Sequence, residues 1–235
     1  MTKRVLITGV SSGIGLAQAR LFLENGYAVY GVDKSGKPDL SPLTGEFYFL
    51  QLDLATDLAA LYDFVADVDI LCNTAGILDD YLPHLDLSED VFEQVWTVNF
   101  LAATRITRHY LVKMAEKKSG IIINMCSIAS FLAGGGGSAY TSSKHALAGF
   151  TRQLALDYVK EGIQIFGIAP GAVKTAMTAA DFEPGGLSDW VAKETPIGRW
   201  TEPSEIAELT LMLASGKLAS MQGEIVKMDG GWSLK

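Results

Sequence analysis

With 235 residues, 49% of them hydrophobic and 20% charged, the chain carries enough apolar material for one α/β domain with a continuous core over 1–235, and nothing in it reads as disordered or as a second domain. Its formal charge of −8 and pI near 4.9 exclude nucleic acid and anionic membrane as main partners, because both are held through clustered positive charge. No apolar run approaches the roughly 18 residues that span a bilayer, and Met1-Thr2-Lys3-Arg4 leads directly into a short strand-like stretch, so no membrane span or export signal is expected.

The first predicted strand covers 5–8. It runs into Thr8-Gly9-Val10-Ser11-Ser12-Gly13-Ile14-Gly15, ahead of a helix over 14–24 that Asn25-Gly26 closes. Glycines between a strand and a helix permit a tight turn and close backbone approach to a pyrophosphate, while the helix amino terminus supplies free N–H groups and partial positive charge. A second strand over 27–32 leads to Asp33, which lies 18 residues after Gly15. A carboxylate there would accept hydrogen bonds from both ribose hydroxyls of an adenosine and repel a 2′-phosphate. The pattern predicts a dinucleotide site that prefers NAD(H). Two alternatives stay open: Lys34 would suit the 2′-phosphate of NADP(H), and Asp33 would also serve as a plain loop cap.

Residues 33–46 contain Gly36, Pro38, Pro42 and Gly45 and read as a loop where a crossover helix ordinarily lies, which predicts a thin covering layer. A strand over 47–52, a helix over 57–65 and a strand over 68–72 follow. A long helix over 88–118, with a break or bend, carries Arg105, Arg108, Lys113, Lys117 and Lys118, read first as a solvated face. A strand over 121–125 ends near Ser127, and four glycines, Gly134 to Gly137, precede a helix over 140–160. The glycines read equally as an open, adaptable wall beside Ser127 or as a flexible connection. After a strand over 163–168, the segment 170–203 is punctuated by Gly171, Pro184, Gly185, Gly186, Pro196 and Gly198. It is expected to be a mobile loop that contacts substrate. A helix over 203–214 and a strand over 224–228 complete the chain. Nearly all-apolar strands need cover on both faces, so the prediction is a doubly wound, Rossmann-type α/β fold with a seven-stranded parallel sheet and helices on both faces.

Tyr140 and Lys144 stand one helical turn apart on a predicted helix, so phenol and ammonium share a face. A nearby cation is expected to bring a phenol, whose ordinary pKa is about 10, closer to use as a proton donor. With Ser127 this reads as a redox active site. Cys72 and Cys126 sit in apolar strand-like runs, which fits buried thiols in a reducing cytoplasm. His84, His109 and His145 show no metal-ligand spacing with them, and no metal is predicted.

With these motifs in order, nearly the whole chain resembles the short-chain dehydrogenase/reductase family in its single-domain form. Thr8 to Gly15 match its glycine motif and Asp53-Leu54 its adenine contact. Asn73-Thr74-Ala75-Gly76 is similar to its Asn-Asn-Ala-Gly segment, with Thr74 in place of the second asparagine. Asn99, Ser127, Tyr140 and Lys144 match its catalytic positions, and Pro170-Gly171, Val173 and Thr175 its nicotinamide-side loop. The resemblance implies hydride transfer between nicotinamide and a carbonyl, with Tyr140 as proton donor, Ser127 positioning the carbonyl oxygen, Lys144 holding ribose hydroxyls and lowering the phenol pKa, and Asn99 supporting a relay water.

The chain is also similar to 3-oxoacyl carrier-protein reductases and to sugar and secondary-alcohol dehydrogenases, so a 3-oxoacyl thioester or a small alcohol, diketone or sugar is implied as substrate. Lys117 and Lys118 would offer an acyl carrier protein a basic docking surface, whereas Asp33 suits an NADPH-driven reductase poorly, and Glu161 stands where carrier-linked relatives often place a basic residue. A homotetramer pairing the helices around 99–118 and 140–161 is implied as well. Two other classes fit the residues less well. A non-catalytic nucleotide sensor would have no need of the complete Ser127, Tyr140, Lys144 and Asn99 set, and an extended-type epimerase would have different glycine spacing and a longer chain.

Overall fold

The computed structural model describes residues 2–235. Strands β1 (Arg4–Thr8), β2 (Ala28–Asp33), β3 (Phe47–Gln51), β4 (Ile70–Asn73), β5 (Gly120–Met125), β6 (Ile163–Pro170) and β7 (Ile225–Met228) form one sheet in the order β3-β2-β1-β4-β5-β6-β7. Every pairing is parallel. The chain reverses its direction of travel across the sheet between β1 and β4, the switch point at which doubly wound sheets open a crevice beyond their carboxyl ends.

Strand alternation explains the two covering layers. Val5 and Ile7 of β1 join Ile70, Ile121, Ile123, Phe166 and Ile168 in a core on one face, closed by α1 (Gly13–Glu24) and α7 (Pro203–Ala214) through Phe22, Ile206 and Leu213. Leu6 points the other way, with Leu71, Ile122, Ile163 and Ile165, into a second core. That core is closed by α2 (Ala59–Phe64), α4 (Ala103–Lys117) and α5 (Ser138–Tyr158) through Leu61, Ile106, Met114 and Leu154. Because the inner strands bury both faces, apolar residues run nearly unbroken along them.

Between β2 and β3 no helix forms. Leu40 and Leu43 from that loop pack against the first core, and the edge strand β3 stays half-buried to exposed, as a thin layer requires. The long helix expected over 88–118 is continuous but not uniform. Ser88 caps α3 (Glu89–Trp96) by accepting from Val91 N–H at 3.3 Å. A π-helical stretch, Thr97–Ala102, then widens the turn around Asn99 before α4 begins, a local unwinding common at functional sites.

The segment 170–203 is not a bare loop. It holds a 3-10 stretch, Ala176–Phe182, and α6 (Ser188–Glu194). With only seven residues between proline and glycine punctuation, α6 is too short for helical periodicity to show in the sequence. Lys117 and Lys118 also depart from expectation. Lys117 pairs with Asp67 at 2.7 Å near the entry to β4, and Lys118 ends the helix just before β5 begins. Both sit at the amino edge of the sheet, one strand length from the carboxyl ends, so they offer no docking surface near the crevice. Among the described residues no helix is long and apolar enough to cross a membrane, and Cys72 and Cys126 are both buried and free.

Candidate active site

A cavity of about 860 Å³ runs along the carboxyl ends of the strands, from the end of β3 across the switch point to the segment after β6. At its first end, β1 turns into α1 through Gly9, whose φ of +74° is left-handed and whose absent Cβ would sit 2.9 Å from the Ala75 backbone. Thr8 ties the two strand ends together behind this turn: its hydroxyl accepts from the N–H groups of Thr74 and Ala75 at 2.9 and 3.0 Å. Ser12 is the N-cap of α1 but makes no side-chain cap bond, and no acidic residue lies in the first turn. The N–H groups at the start of α1 are therefore left for an external anion, beside Gly13, Ile14 and Gly15 on the cavity wall. Asp33, Asp53 and Leu54 line the same end. This donor set and the shallow glycine floor fit the diphosphate and ribose of a dinucleotide.

Asp33 also does what the simpler reading proposed. Its two carboxylate oxygens accept from Ser11 N–H and Ser35 N–H, each at 2.9 Å, and Ser11 donates its hydroxyl to the Gly36 carbonyl at 2.7 Å. Ser11 thus braces the glycine turn against the β2–β3 loop and does not line the cavity. Loop capping and ribose binding are compatible, since each carboxylate oxygen has a second lone pair.

At the other end, Ser127 closes β5 and Tyr140 and Lys144 project from the first turns of α5; all three are nearly buried and line the cavity. Burial pushes the Tyr140 phenol up to about 12, opposed by a hydrogen bond with Ser127. Burial also pulls Lys144 down to about 8. Its ammonium donates to the Met125 carbonyl at 2.8 Å and lies 5.5 Å from the centre of the Tyr140 ring. Burial dominates at Tyr140, so the lowering expected from Lys144 gives no net depression of the phenol pKa in this state. Pro170, Gly171, Val173 and Thr175 complete this wall, with Thr175 beside Gly13 and Val173 bridged to Thr201.

Besides Thr8 and Ser11, two more predicted site residues stand behind the wall. Asn73 is buried in a polar relay, donating to Thr107 Oγ1 at 3.0 Å and Asn124 Oδ1 at 2.8 Å, while its own Oδ1 has no partner. It faces the helices, because alternation along β4 turns it away from the crevice. Asn99 clamps Ile77 from both sides, accepting from its N–H at 2.8 Å and donating to its carbonyl at 3.0 Å, and reaches Ser143 Oγ at 3.3 Å. Thr74, the departure from the family segment, donates to Gln18 Oε1 at 2.7 Å and so ties β4 to α1.

Asp79 carries no local sequence signal. Fully buried, it accepts from the N–H groups of Gly137 and Tyr140 at 2.7 and 2.9 Å, a carboxylate cap on the helix that presents the phenol. A Cβ on Gly137 would meet that carboxylate at 2.7 Å, and one on Gly136 would meet the Tyr140 ring at 2.5 Å. The glycine run divides: Gly136 and Gly137 let Tyr140 and Asp79 come close, while Gly134 and Gly135 lie on the cavity wall, Gly134 with open space around it, as the open-wall reading expects. Ser130 supports Lys144 from behind, donating to its carbonyl at 2.8 Å. Removing the cap in Asp79→Ala strands two buried N–H groups and is expected to cost about 2 kcal/mol of stability. It should also lower kcat about tenfold without changing the KM for cofactor, with partial rescue by Asp79→Asn; steady-state kinetics and thermal melts of the two variants check this.

A glycine turn at the switch point and a Ser, Tyr, Lys cluster on one cavity define the class of nicotinamide-dependent oxidoreductases. Residues 3–184 match the family model described as short chain dehydrogenase, and the chain belongs to that family. It is 32% identical over 98% of its length to the short chain dehydrogenase adrF of Penicillium roqueforti, of which it covers 96%. It is 31% identical to the 3-oxoacyl-(acyl-carrier-protein) reductase of Chlamydia pneumoniae, over 97% of this chain and 96% of that one. Among solved structures, a 4-hydroxyisoleucine dehydrogenase complexed with NADH superposes with a TM-score of 0.91 at 30% identity over 100% of both chains. ElxO with NADP bound does so at 0.91 and 26% identity, again over 100% of both.

Proposed function

We propose that the protein is an NAD(H)-preferring enzyme that moves hydride between nicotinamide and a carbonyl or secondary alcohol. A 3-oxoacyl thioester is the first candidate substrate, as in a reductase of fatty acid synthesis; small alcohols, diketones or sugars are the alternative. The observation that carries this reading is the placement of Tyr140, Ser127 and Lys144 on the wall of the cavity whose other end holds Asp33 and the open N–H groups of α1.

A nicotinamide dinucleotide held by Gly9, Ser12, Gly13, Ile14, Gly15, Asp33, Asp53, Leu54, Ala75, Gly76, Pro170, Gly171, Val173 and Thr175 would supply or accept the hydride. The chain handles the proton. Tyr140 donates it to the carbonyl oxygen in reduction and takes it back in oxidation, and Ser127 holds that oxygen through its hydroxyl. Lys144, whose ammonium retains two N–H donors beyond the one on Met125, binds ribose hydroxyls and supports the charge that develops on Tyr140. Asn99 acts as a positioning residue by fixing Ile77 and Ser143, and Thr8, Ser11 and Asn73 hold the strand ends and the turn.

The segment 170–203 forms the substrate wall of a single domain over 1–235. A homotetramer is supported by exposed apolar side chains on α4 and α5, Val112 and Leu156 among them. A cytoplasmic setting fits the two free thiols. An acyl carrier protein, if it delivers the thioester, must dock without Lys117 and Lys118.

The preference for NAD(H) rests on Asp33. Asp33→Asn keeps a hydrogen-bonding side chain at the loop but removes the charge that opposes a 2′-phosphate. It is expected to narrow the preference for NADH over NADPH by about tenfold, read from Kd values for both cofactors; an unchanged ratio would refute the role. The reaction itself is tested by following oxidation of NADH and NADPH side by side with a short 3-oxoacyl thioester. Turnover favouring NADH supports the first candidate, and no turnover with both cofactors bound removes it in favour of the alternative.

A further inference from the structure

Beyond Ser127 and Tyr140 the cavity changes character. Its walls there are Tyr81 from the loop after β4, Met177 from the 3-10 stretch, Leu187 and Trp190 at α6, Trp200, and Trp232 near the end of the chain. Trp190 and Trp232 pack edge to face with ring centres 6.2 Å apart. The Trp200 indole N–H donates to the Ser188 carbonyl at 2.9 Å. Tyr81 and Trp190 each remain 54% exposed, so these rings are held in place without being used up as core. Such an aromatic surface binds apolar carbon skeletons by excluding water and by ring contact.

Charge narrows the class further. The cations lining the cavity are Lys34, at the end shared with Asp33 and Asp53, and Lys144, whose ammonium is on the Met125 carbonyl. Along the aromatic walls the one Asp, Glu, Lys, Arg or His among the described residues is Asp181, half-buried and in no ion pair there. Its carboxylate lies close enough to Tyr81 to add to burial in raising that phenol's pKa. Two nearby cations point elsewhere: Arg199 is held by Glu205 at 2.7 and 3.0 Å, and Lys174 lies over the Phe182 ring at 5.4 Å. A carboxylate or phosphate on the substrate would lose water in this half of the cavity, face Asp181 and find no fixed cation to replace the water.

We infer that the substrate is an uncharged, largely apolar ketone or secondary alcohol whose carbon skeleton lies against Trp190 and Tyr81, and that Asp181 discriminates against anionic hydroxy and oxo acids. This rests on the carbonyl and alcohol chemistry proposed above. The test uses a matched pair of ring ketones, 4-tert-butylcyclohexanone and 4-oxocyclohexanecarboxylate, one apolar and one anionic at the same position. Calorimetric titration of each into the NADH-loaded Tyr140→Phe protein reads affinity without turnover.

The neutral ketone is expected to bind at least about tenfold more tightly than the anion. Trp190→Ala in the same background should weaken the ketone about tenfold and leave NADH affinity unchanged, and Asp181→Asn should narrow the gap by strengthening the anion. Binding of the anion as tightly as the ketone, failure of the ketone to bind, or an unchanged ketone affinity in Trp190→Ala overturns the inference. Absence of turnover of any ketone by the unsubstituted protein, with the binding preference intact, would overturn the reaction reading alone.

Discussion

Tyr140→Phe is expected to lower kcat by about 10²- to 10⁴-fold, the range that a positioned proton donor contributes, while NADH still binds. Phenylalanine keeps the ring against Val95, Ala129 and Ala139 and keeps the close approach that Gly136 permits. What it removes is the hydroxyl beside Ser127, the group placed to give its proton to a carbonyl oxygen. The packing of the ring is unchanged, so the variant should remain folded. Stopped-flow or steady-state assays at 340 nm, with NADH binding measured in parallel, check both halves. Turnover close to that of the unsubstituted protein would remove Tyr140 from the mechanism.

Lys144→Met is expected to cost about 10²-fold in kcat and to weaken NADH binding, since the ammonium would no longer reach ribose hydroxyls. Its pH behaviour is the sharper readout. Burial lowers Lys144 from an ordinary 10.5 to about 8. If the charged form is the active one, kcat/KM falls as pH rises through about 8, and that limb disappears in the variant. Stability moves the other way. Below about pH 8 the folded protein carries the cost of a buried cation; between about 8 and 10.5 the unfolded chain still holds the proton that the folded one has released, so stability rises with pH. Methionine removes the cation. Thermal melts of the cofactor-free variant should therefore show a gain of about 2 kcal/mol near pH 7, closing toward pH 10. A variant that melts lower at pH 7 would contradict the assignment of a destabilising charge.

The inner strands were legible because they bury both faces, which leaves runs such as Val5-Leu6-Ile7 almost free of polar residues. The dinucleotide turn was legible for a similar reason: a strand, glycines and a helix in that order constrain the backbone more than any side chain does. Tyr140 and Lys144 shared a helix face by spacing alone.

What the sequence withheld depends on long-range packing. Asp79 lies 58 residues before Gly137 and 61 before Tyr140, so nothing local marks it as the cap of α5. Asn73 reads as a site residue from its neighbours, yet strand alternation turns it away from the crevice. Lys117 reads as a free docking charge until the fold brings Asp67 beside it. The pKa of Tyr140 is likewise a property of burial, which spacing on a helix does not express.

The proposed reaction exchanges hydride between a nicotinamide and a carbonyl in this cavity, with Tyr140 supplying the proton. The most direct measurement mixes excess protein with NADH deuterated at C4 and a panel comprising 4-tert-butylcyclohexanone, a diketone and a short 3-oxoacyl thioester, then follows absorbance and recovers the alcohol. Oxidation of NADH and transfer of deuterium to the carbinol carbon of at least one product are expected, and both should vanish in Tyr140→Phe. Bound NADH with no deuterium transferred to any acceptor would contradict it.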